Sequence, residues 1–283
     1  MQFPDISPFV PFLHWGDFGI RWYALAYVAG ILLGWRYAIR LTRTPKLWGS
    51  GKPTLSAEQI DDLILWVTLG IIVGGRLGYV IFYMPEMIWT KPLEILKIWE
   101  GGMSFHGGLL GVTAALVFFA LGNKLDLLKV ADQVAPAAPI GLFFGRIANF
   151  INGELWGRET TMPWGVTGFP GTQNPWVPRH PSQIYEALLE GLVLFLILRV
   201  ATHRALLLQR RGVVAGVFLV GYALFRLSLE WVREPDAQMF SFLREYVTMG
   251  MLLSLPMLIG GLWLIWRGMK EPVTIVPASP EKA

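Results

Sequence analysis

Residues 60–83 have the sequence IDDLILWVTLGIIVGGRLGYVIFY, and this stretch decides the class of fold. A helix that crosses a bilayer needs about 20 mostly apolar residues, and this run exceeds that length. Similar apolar runs occur at 18–39, 104–122, 130–151, 183–201, 213–232 and 247–266. We therefore expect an all-α polytopic membrane protein, a single transmembrane domain over residues 1–283 with about seven transmembrane helices.

The composition agrees with a membrane protein and excludes several kinds of chemistry. Hydrophobic residues make up 54% of the chain and charged residues only 16%, whereas soluble domains are about 25% charged. The chain contains no cysteine, which excludes disulfides, thiolate metal sites and a cysteine nucleophile. The net charge of +4 comes from basic residues between the apolar runs, so it indicates orientation in a membrane, and we expect no nucleic-acid partner.

Basic residues are distributed unevenly between the loops. The loops after the first, third and fifth segments and the C-terminus hold Arg36, Arg40, Arg43, Lys46, Lys52, Lys124, Lys129, Arg199, Arg204, Arg210, Arg211, Arg267, Lys270 and Lys282. The opposite loops hold Lys91, Lys97, Arg158, Arg179, Arg233 and Arg244. Because loops rich in positive charge stay in the cytoplasm, we expect the N-terminus outside and the C-terminus inside.

Three stretches outside the apolar segments have a distinct composition. Residues 84–103 are rich in tryptophan and isoleucine but are broken by prolines and glycines, which predicts an interfacial helix on the outer face followed by a re-entrant turn. Residues 153–182 contain several prolines, glycines and tryptophans, and we interpret them as a small extracytoplasmic head. Residues 271–283 are expected to form a cytoplasmic tail.

Four arginines lie inside or at the edge of apolar segments: Arg21, Arg76, Arg146 and Arg226. A central arginine costs roughly 2.5–3.5 kcal/mol on insertion scales, and packing does not explain that cost because leucine would pack without it. Arg21 lies near the outer end of its segment, where snorkelling to the interface is an equal alternative. For the other three we favour an anionic ligand, with structural ion pairs as the alternative.

Helical spacing places further polar residues on common faces. One set follows i, i+4, i+8 and i+11, and the two others follow i, i+3 and i+7, so each set lines one side of its helix. The sets are Tyr222, Arg226, Glu230 and Arg233; Arg146, Asn149 and Gly153; and Gln183, Glu186 and Glu190. We expect these polar faces to point inward. Gly74, Gly75 and Gly78 have the small-residue spacing typical of close helix packing.

A histidine flanked by two glycine pairs is the candidate general base. His106 lies in GGMSFHGG, residues 101–108, and imidazole exchanges protons near neutral pH. The alternative is a histidine that caps the exposed backbone of the turn. We find no HExxH motif, no carboxylate cluster with histidine and no GxSG pattern, so we expect neither a metal site nor a cofactor.

Buried arginines beside a water-accessible pocket suit a phosphate, since guanidinium binds it through two parallel hydrogen bonds. The abundant phosphate in a membrane is a phospholipid headgroup. Composition and spacing therefore predict a membrane protein that binds an anionic lipid at its arginines, with a histidine nearby. They do not by themselves define a reaction.

Six short blocks and one longer one resemble the bacterial prolipoprotein diacylglyceryl transferases, in the family's order along nearly the whole chain. The longest is GRIANFINGELWGR, residues 145–158. The others are RWY at 21–23, GGRLGY at 74–79, the turn at 102–108, RHPSQ at 179–183 followed by Tyr185-Glu186, Gly221-Tyr222 with Phe225-Arg226, and REPDAQ at 233–238. The main departure from the family is a compact head between Gly157 and Pro178, which bears on substrate selectivity.

The resemblance implies a reaction and its participants. A diacylglyceryl group would move from phosphatidylglycerol to the lipobox cysteine of a preprolipoprotein signal peptide, forming a thioether and releasing glycerol 1-phosphate. The implied setting is the bacterial cytoplasmic (inner) membrane, with the active site toward the outer leaflet and membrane lipids as partners. The substrate supplies the thiol, so the absence of cysteine from the chain is no obstacle.

The resemblance also implies roles for individual residues. Arg146 and Arg226 would bind the headgroup and stabilise the leaving phosphate, with His106 as the base. The substrate-binding residues would be Tyr23, Arg76, Asn149, Glu154, Gly157, Tyr222 and Glu230. Glu230 is also expected to pair with Arg226 or Arg233.

Three other functions are compatible with parts of this pattern. A lipid or small-molecule transporter also needs intramembrane arginines and broken helices, but no inverted repeat is evident. Another phosphatidylglycerol-dependent transferase would share the arginine site without needing a groove for a peptide. A scaffold without activity would not need several buried arginines.

Overall fold

The computed structural model describes residues 1–4, 6–7, 9–15, 18–49, 52–98, 102–234 and 248–271, and these are mostly helical. The helices are α1 (Trp22–Thr42), α2 (Ala57–Tyr83), α3 (Met87–Thr90), α4 (Phe105–Gly122), α5 (Leu127–Val134), α6 (Ala138–Ile151), α7 (Ser182–Glu186), α8 (Leu194–His203), α9 (Val213–Leu229) and α10 (Met249–Lys270). A 3₁₀ turn, Ala135–Ala137, joins α5 to α6, and a π-helical segment, Ala187–Val193, joins α7 to α8.

Four helical stretches are long and apolar enough to cross a membrane: Trp22–Thr42, Ala57–Tyr83, Leu127–Ile151 and Gly250–Lys270. Gly107–Gly122 and Val213–Leu229 are shorter apolar helices. Each predicted apolar segment overlaps a helix, so the helical membrane class is confirmed. The number of crossings and their direction stay predictions.

A two-stranded antiparallel hairpin precedes α1, and the sequence analysis did not predict it. Strand β1 (Phe9–Trp15) pairs with β2 (Phe18–Arg21), with Trp15 opposite Phe18. The first helix therefore begins at Trp22 and not at residue 18. The pattern did not distinguish the two structures, because a short apolar run with aromatic and β-branched residues suits a strand as well as a helix.

Glycines bring α2 and α4 into close contact. Gly70 and Gly74 of α2 face Gly111 and Gly107 of α4, and a Cβ at Gly111 would collide with the backbone carbonyl of Gly70. Gly78 likewise meets the backbone of Gly107. Small residues let helix backbones approach one another where lipid supplies no hydrophobic driving force. The packing role predicted for Gly74 and Gly78 is confirmed.

The stretch predicted as an interfacial helix consists of two short helical turns. Helix α3 occupies Met87–Thr90, and a 3₁₀ helix occupies Pro92–Leu96. Pro92 stands at the first position of the second turn, where its missing N–H sacrifices no helical bond. The placement of these turns on the outer membrane surface stays a prediction.

Residues 153–181 form turns and isolated β-bridges. Glu159 and Val166 both bridge to Arg179, so the segment folds back on itself. Gly153 has a φ of +68°, and a Cβ there would lie 2.5 Å from the side chain of Pro170. Glycine is therefore required at this turn. That the segment forms a head outside the membrane stays a prediction.

Two buried polar residues of α5 hold neighbouring parts of the chain, and the sequence analysis missed both. The Asp132 carboxylate accepts hydrogen bonds from the backbone N–H groups of Gly212, at 2.5 Å, and Ala215, at 2.8 Å. These groups form the N-terminus of α9, where a negative charge is favourable. The Gln133 side chain accepts a hydrogen bond from the Leu55 N–H at 2.8 Å.

Candidate active site

Three arginines and three glutamates form one buried cluster, which we call the ion-pair network. Its members are Arg146, Glu186, Glu190, Arg226, Glu230 and Arg233. Glu186 lies at the centre: its Oε2 is 2.9 Å from Arg146 Nε and 3.6 Å from Arg226 Nη1. Its Oε1 pairs with Arg233 Nη1. One carboxylate thus joins α7 to α6, to α9 and to the segment after α9.

The other two carboxylates contact fewer arginines. Glu230 Oε1 lies 2.8 Å from Arg226 Nη2 and 3.9 Å from Arg233 Nε, so the predicted pairing of Glu230 is confirmed. Glu190 Oε2 lies 3.5 Å from Arg146 Nη2. The ion pairs considered as an alternative for Arg146 and Arg226 are therefore present in the structure.

The carboxylates lie deeper than the arginines. The side chains of Glu186 and Glu190 are 0% exposed and that of Glu230 is 3% exposed. In contrast, the side chain of Arg146 is 14% exposed and that of Arg226 is 11% exposed. The network is formally neutral, yet its accessible edge is cationic. Such an edge can accept an anionic group without the carboxylates being exposed to it.

The π-helical segment sets the position of Glu190. Segments with i→i+5 bonding are rare and occur frequently at functional sites. Gly191 in this segment packs closely against α6, since a Cβ there would lie 2.7 Å from the Cβ of Phe143. Because Arg146 lies on α6 one turn after Phe143, this close approach brings Glu190 within reach of Arg146.

Two predicted tyrosines border the network. Tyr222 lies one helical turn before the arginine of α9 and interacts electrostatically with Glu190 and Arg146. Tyr23, near the start of α1, lies within electrostatic range of Glu154 and Arg146. Both tyrosines therefore interact electrostatically with Arg146, one of the two arginines to which the resemblance assigns the headgroup.

Glu154 joins the end of α6 to the start of α7. The side-chain amide of Asn149 donates a hydrogen bond to Glu154 Oε1 at 2.8 Å. The side-chain amide of Gln183 donates to the Glu154 backbone carbonyl at 2.6 Å. Because Asn149 and Gln183 lie one turn from Arg146 and Glu186 respectively, these bonds fix the two helices that carry the central ion pair.

Gly157 lies where residues 153–181 meet the segment after α9. Its N–H donates to the His180 carbonyl at 2.9 Å, and a Cβ would collide with the backbone of Val232. The guanidinium of Arg179 donates to the Gly157 carbonyl at 3.2 Å and pairs with Glu234 at 3.0 Å. Gly157 therefore keeps two backbone segments together beside the network.

His180 lies outside the membrane-spanning helices, and burial lowers its pKa below the ordinary value of 6.5. Its Nδ1 is 3.2 Å from the hydroxyl of Tyr185. That hydroxyl accepts a hydrogen bond from Trp164 Nε1 at 2.7 Å. The imidazole is therefore mainly neutral at pH 7, which suits hydrogen bonding and not phosphate binding.

Arg76 lies apart from the ion-pair network and contacts the backbone instead. Its Nε donates to the Ile95 carbonyl at 2.8 Å, and its Nη2 donates to the Glu94 carbonyl at 2.6 Å. Its Nη1 donates to the Gly102 carbonyl at 3.2 Å. The side chain therefore holds the stretch that leads into α4, and its predicted part in substrate binding stays a prediction.

The structure places His106 in the first turn of α4. Ser104 caps this helix, because its hydroxyl accepts a hydrogen bond from the Gly107 N–H at 3.2 Å. The side chain of His106 lies outside the described part of the structure, so its role as a base stays a prediction. The described residues hold no group of three His, Asp or Glu side chains that could bind a metal ion.

Several residues of the site were not chosen as site candidates from the sequence. Glu186, Glu190 and Arg233 were recognised as members of polar faces but were not assigned to the site. Arg179 was recognised as part of a motif without a role. For Glu186, Glu190 and Arg233 the common signal is an ionisable residue at helical spacing from a glutamine or another charge, and that signal does not say which helix faces which.

The fold and the site together define a helical membrane protein with a partly buried, cationic-edged site suited to an anionic group. The sequence profile of the prolipoprotein diacylglyceryl transferases matches residues 11–267. The chain therefore belongs to the prolipoprotein diacylglyceryl transferase family, as the resemblance implied, and it is a transferase.

Similar proteins from other bacteria match the chain over nearly its full length. The phosphatidylglycerol–prolipoprotein diacylglyceryl transferase of Phenylobacterium zucineum is 60% identical over 98% of this chain and 99% of its own. The corresponding protein of Caulobacter vibrioides is 56% identical, over 96% of this chain and 97% of its own. That of Rhizobium meliloti is 51% identical over 94% of each chain.

Proposed function

We propose that this protein transfers the diacylglyceryl group of phosphatidylglycerol to the thiol of a lipobox cysteine in a preprolipoprotein signal peptide. The observation that carries the proposal is the placement of Arg146 and Arg226 on the accessible edge of the network, on either side of the buried Glu186. Two guanidinium groups that both contact one carboxylate oxygen are close enough to bind one phosphate between them. Membership in the family supports phosphatidylglycerol as the donor and a prolipoprotein as the acceptor.

The bond changes define what the site must do. The thiol sulfur forms a bond to the terminal glyceryl carbon, and the bond from that carbon to the phosphate oxygen breaks. The electron pair stays with the phosphate, which leaves as glycerol 1-phosphate with more negative charge than before. Fixed cations at that position stabilise the transition state more than the ground state. Arg146 and Arg226 have this role in the proposal.

The thiol must lose its proton as it attacks. Free cysteine has a pKa of about 8.5, so a base or a positive field helps the reaction at neutral pH. We assign the base to His106, which lies at the start of α4. Tyr23 and Tyr222 would orient the lipid through their hydroxyls.

The remaining predicted residues shape the site. Asn149, Glu154 and Gly157 would keep α6 and the loop after it in place, as their hydrogen bonds suggest. Glu230 would hold the guanidinium of Arg226 in one orientation. For Arg76 the contacts with the backbone carbonyls of Glu94, Ile95 and Gly102 favour a role in positioning these described parts of the backbone before α4.

We infer seven membrane crossings, with the N-terminus outside and the site toward the outer leaflet of the bacterial cytoplasmic membrane. The chain lacks cysteine, so a single introduced cysteine reports its own side of the membrane. An impermeant maleimide should label Trp176→Cys, at a position where tryptophan is 85% exposed, in intact spheroplasts. It should label Arg204→Cys only after lysis, and the reverse pattern would overturn the orientation.

The reaction itself is tested by a reconstituted assay. Purified protein is mixed with phosphatidylglycerol and a lipobox peptide, and the peptide mass is followed. We expect a gain of one diacylglyceryl unit, release of glycerol phosphate and no reaction of a Cys→Ser peptide. No mass gain from folded, lipid-binding protein would refute the transfer and favour a transporter or another headgroup transferase.

Variants then test whether Arg146 and Arg226 bind the phosphate. Arg146→Ala and Arg226→Ala should each lower kcat by at least about 10²–10³, the usual effect of removing one fixed transition-state donor. Arg267→Ala is the matched control, because Arg267 of α10 pairs at 3.3 Å with Glu271, the residue after the helix, and is 38% exposed. Its activity should equal that of the wild type. Wild-type rates in both site variants would eliminate the phosphate-binding role.

A further inference from the structure

Glu190 is the carboxylate that the ion-pair network holds least tightly. Among the described residues its arginine contact is Arg146 at 3.5 Å, whereas Glu186 lies 2.9 Å from the same guanidinium. Its Oε1 accepts no hydrogen bond and contacts no arginine in the described part of the chain, although the side chain is 0% exposed. Glu186 Oε2 and Glu230 Oε1 also accept no hydrogen bond there, but they lie 2.9 and 2.8 Å from arginine nitrogens. A buried carboxylate oxygen without a hydrogen bond is costly and calls for a specific explanation.

The charge count supplies that explanation. Three arginines and three glutamates balance one another before any ligand arrives. A phosphodiester headgroup adds one negative charge, and the leaving phosphate monoester adds more. Net charge is expensive in a partly buried site of low dielectric constant. Protonation of one carboxylate restores the balance at the moment when the anion binds.

The surroundings of Glu190 single it out among the three carboxylates. It is faced by Arg146 from α6, Glu186 from α7, Tyr222 and Arg226 from α9, and Arg233 from the segment after α9. Protonation of Glu186 would weaken contacts with three arginines, and protonation of Glu230 would weaken contacts with two. Protonation of Glu190 weakens one long contact, so it disturbs the network least.

We propose that Glu190 is a positioning residue that takes up one proton from water when an anionic headgroup binds, releasing Arg146 Nη2 from its carboxylate to the phosphate. The inference rests on the proposed function for the identity of the ligand. It goes further by giving a carboxylate the task of keeping the site neutral. Arg146 would keep its contact with Glu186 through Nε, so the guanidinium stays oriented while its other edge binds the phosphate.

Binding of dioctanoyl phosphatidylglycerol to the detergent-solubilised full chain, measured across a range of pH, tests the proposal. In the wild type the dissociation constant should rise with pH, by up to about tenfold per unit when one proton is linked. Glu190→Gln has the shape of the protonated acid, so it should bind the lipid with little dependence on pH. Glu271→Gln, at the residue after α10 that pairs with Arg267, is the matched control and should keep the wild-type slope.

A second measurement requires no variant. Calorimetric titration of the wild type in two buffers with different ionisation enthalpies should show protons taken up as the lipid binds. A wild-type affinity that does not change with pH, no proton uptake, or an unchanged slope in Glu190→Gln would each overturn the proposal. If the protein transfers the lipid to the peptide but binding is not linked to a proton, only the role of Glu190 is refuted. If binding is linked to a proton but no transfer occurs, only the proposed reaction is refuted.

Discussion

Replacing Glu186 by glutamine should destabilise the protein strongly, because this carboxylate is the only described contact shared by all three arginines of the network. Its Oε2 lies 2.9 Å from Arg146 and 3.6 Å from Arg226, and its Oε1 pairs with Arg233. Glutamine keeps the volume but leaves a net charge of +1 in a buried cluster. Removing one partner of a buried ion pair costs about 3–5 kcal/mol.

The expected shift is large enough to measure in detergent. In a chain of this size 1 kcal/mol corresponds to roughly 2–4 °C, so Glu186→Gln should lower Tm by on the order of 10 °C. Tryptophan fluorescence or circular dichroism during heating gives this value. Glu159→Gln is the control, since Glu159 pairs with Arg179 but is 63% exposed, and such pairs contribute about 0–1 kcal/mol.

A compensating variant separates charge from shape. Arg233→Met in the Glu186→Gln background removes one arginine and returns the cluster to neutrality, so it should recover part of the lost Tm. If Glu186→Gln melts within about 2 °C of the wild type, less than 1 kcal/mol is lost and the assignment of Glu186 as the centre of the network is wrong. If the double variant melts lower than the single one, charge balance is not what Glu186 provides.

Three further outcomes follow from packing, capping and titration. Gly111→Val should lower both Tm and yield, because even a Cβ would collide with the Gly70 carbonyl. Gly122→Ala is the control and should leave both unchanged, because a Cβ there would have no neighbour within 4 Å. Asp132→Ala should cost about 1–3 kcal/mol in thermal unfolding, since two buried N–H groups lose their acceptor. The pKa of His180 is lower in the folded protein than in the unfolded chain, so the unfolded state binds more protons as the pH falls. Its contribution to stability is therefore present above 6.5 and is lost below it, and His180→Gln should flatten Tm against pH there.

Helical spacing predicted the faces of the site correctly. Arg226, Glu230 and Arg233 come together as their spacing indicated, and Glu186 and Glu190 point to the same side. Spacing is a local property, so a single sequence can determine it. It does not determine which two faces meet, which is why the central position of Glu186 became evident only in three dimensions.

Other features depend on backbone geometry that composition does not encode. The hairpin before α1 was missed because its second strand, Phe18–Arg21, was included in the apolar segment predicted over 18–39. The π-helical segment was missed because nothing in the sequence around Glu190 differs from an α-helical pattern. Asp132 was missed because one carboxylate on a short helix is usually solvated, whereas here it caps the start of α9 from a distant part of the chain.

The energetic cost of the arginines explains why the glutamates accompany them. Two unpaired central arginines, Arg146 and Arg226, would cost on the order of 5–7 kcal/mol on insertion scales, which lies within the range of the stability of a whole domain. Pairing with buried carboxylates removes much of that cost, but apolar residues in all six positions would be as stable or more so. Stability alone therefore does not account for the network. A neutral cluster with its cations on the accessible edge offers what an apolar core lacks: two guanidinium groups for the anion that we propose it binds, and a carboxylate for the proton that we propose it takes up.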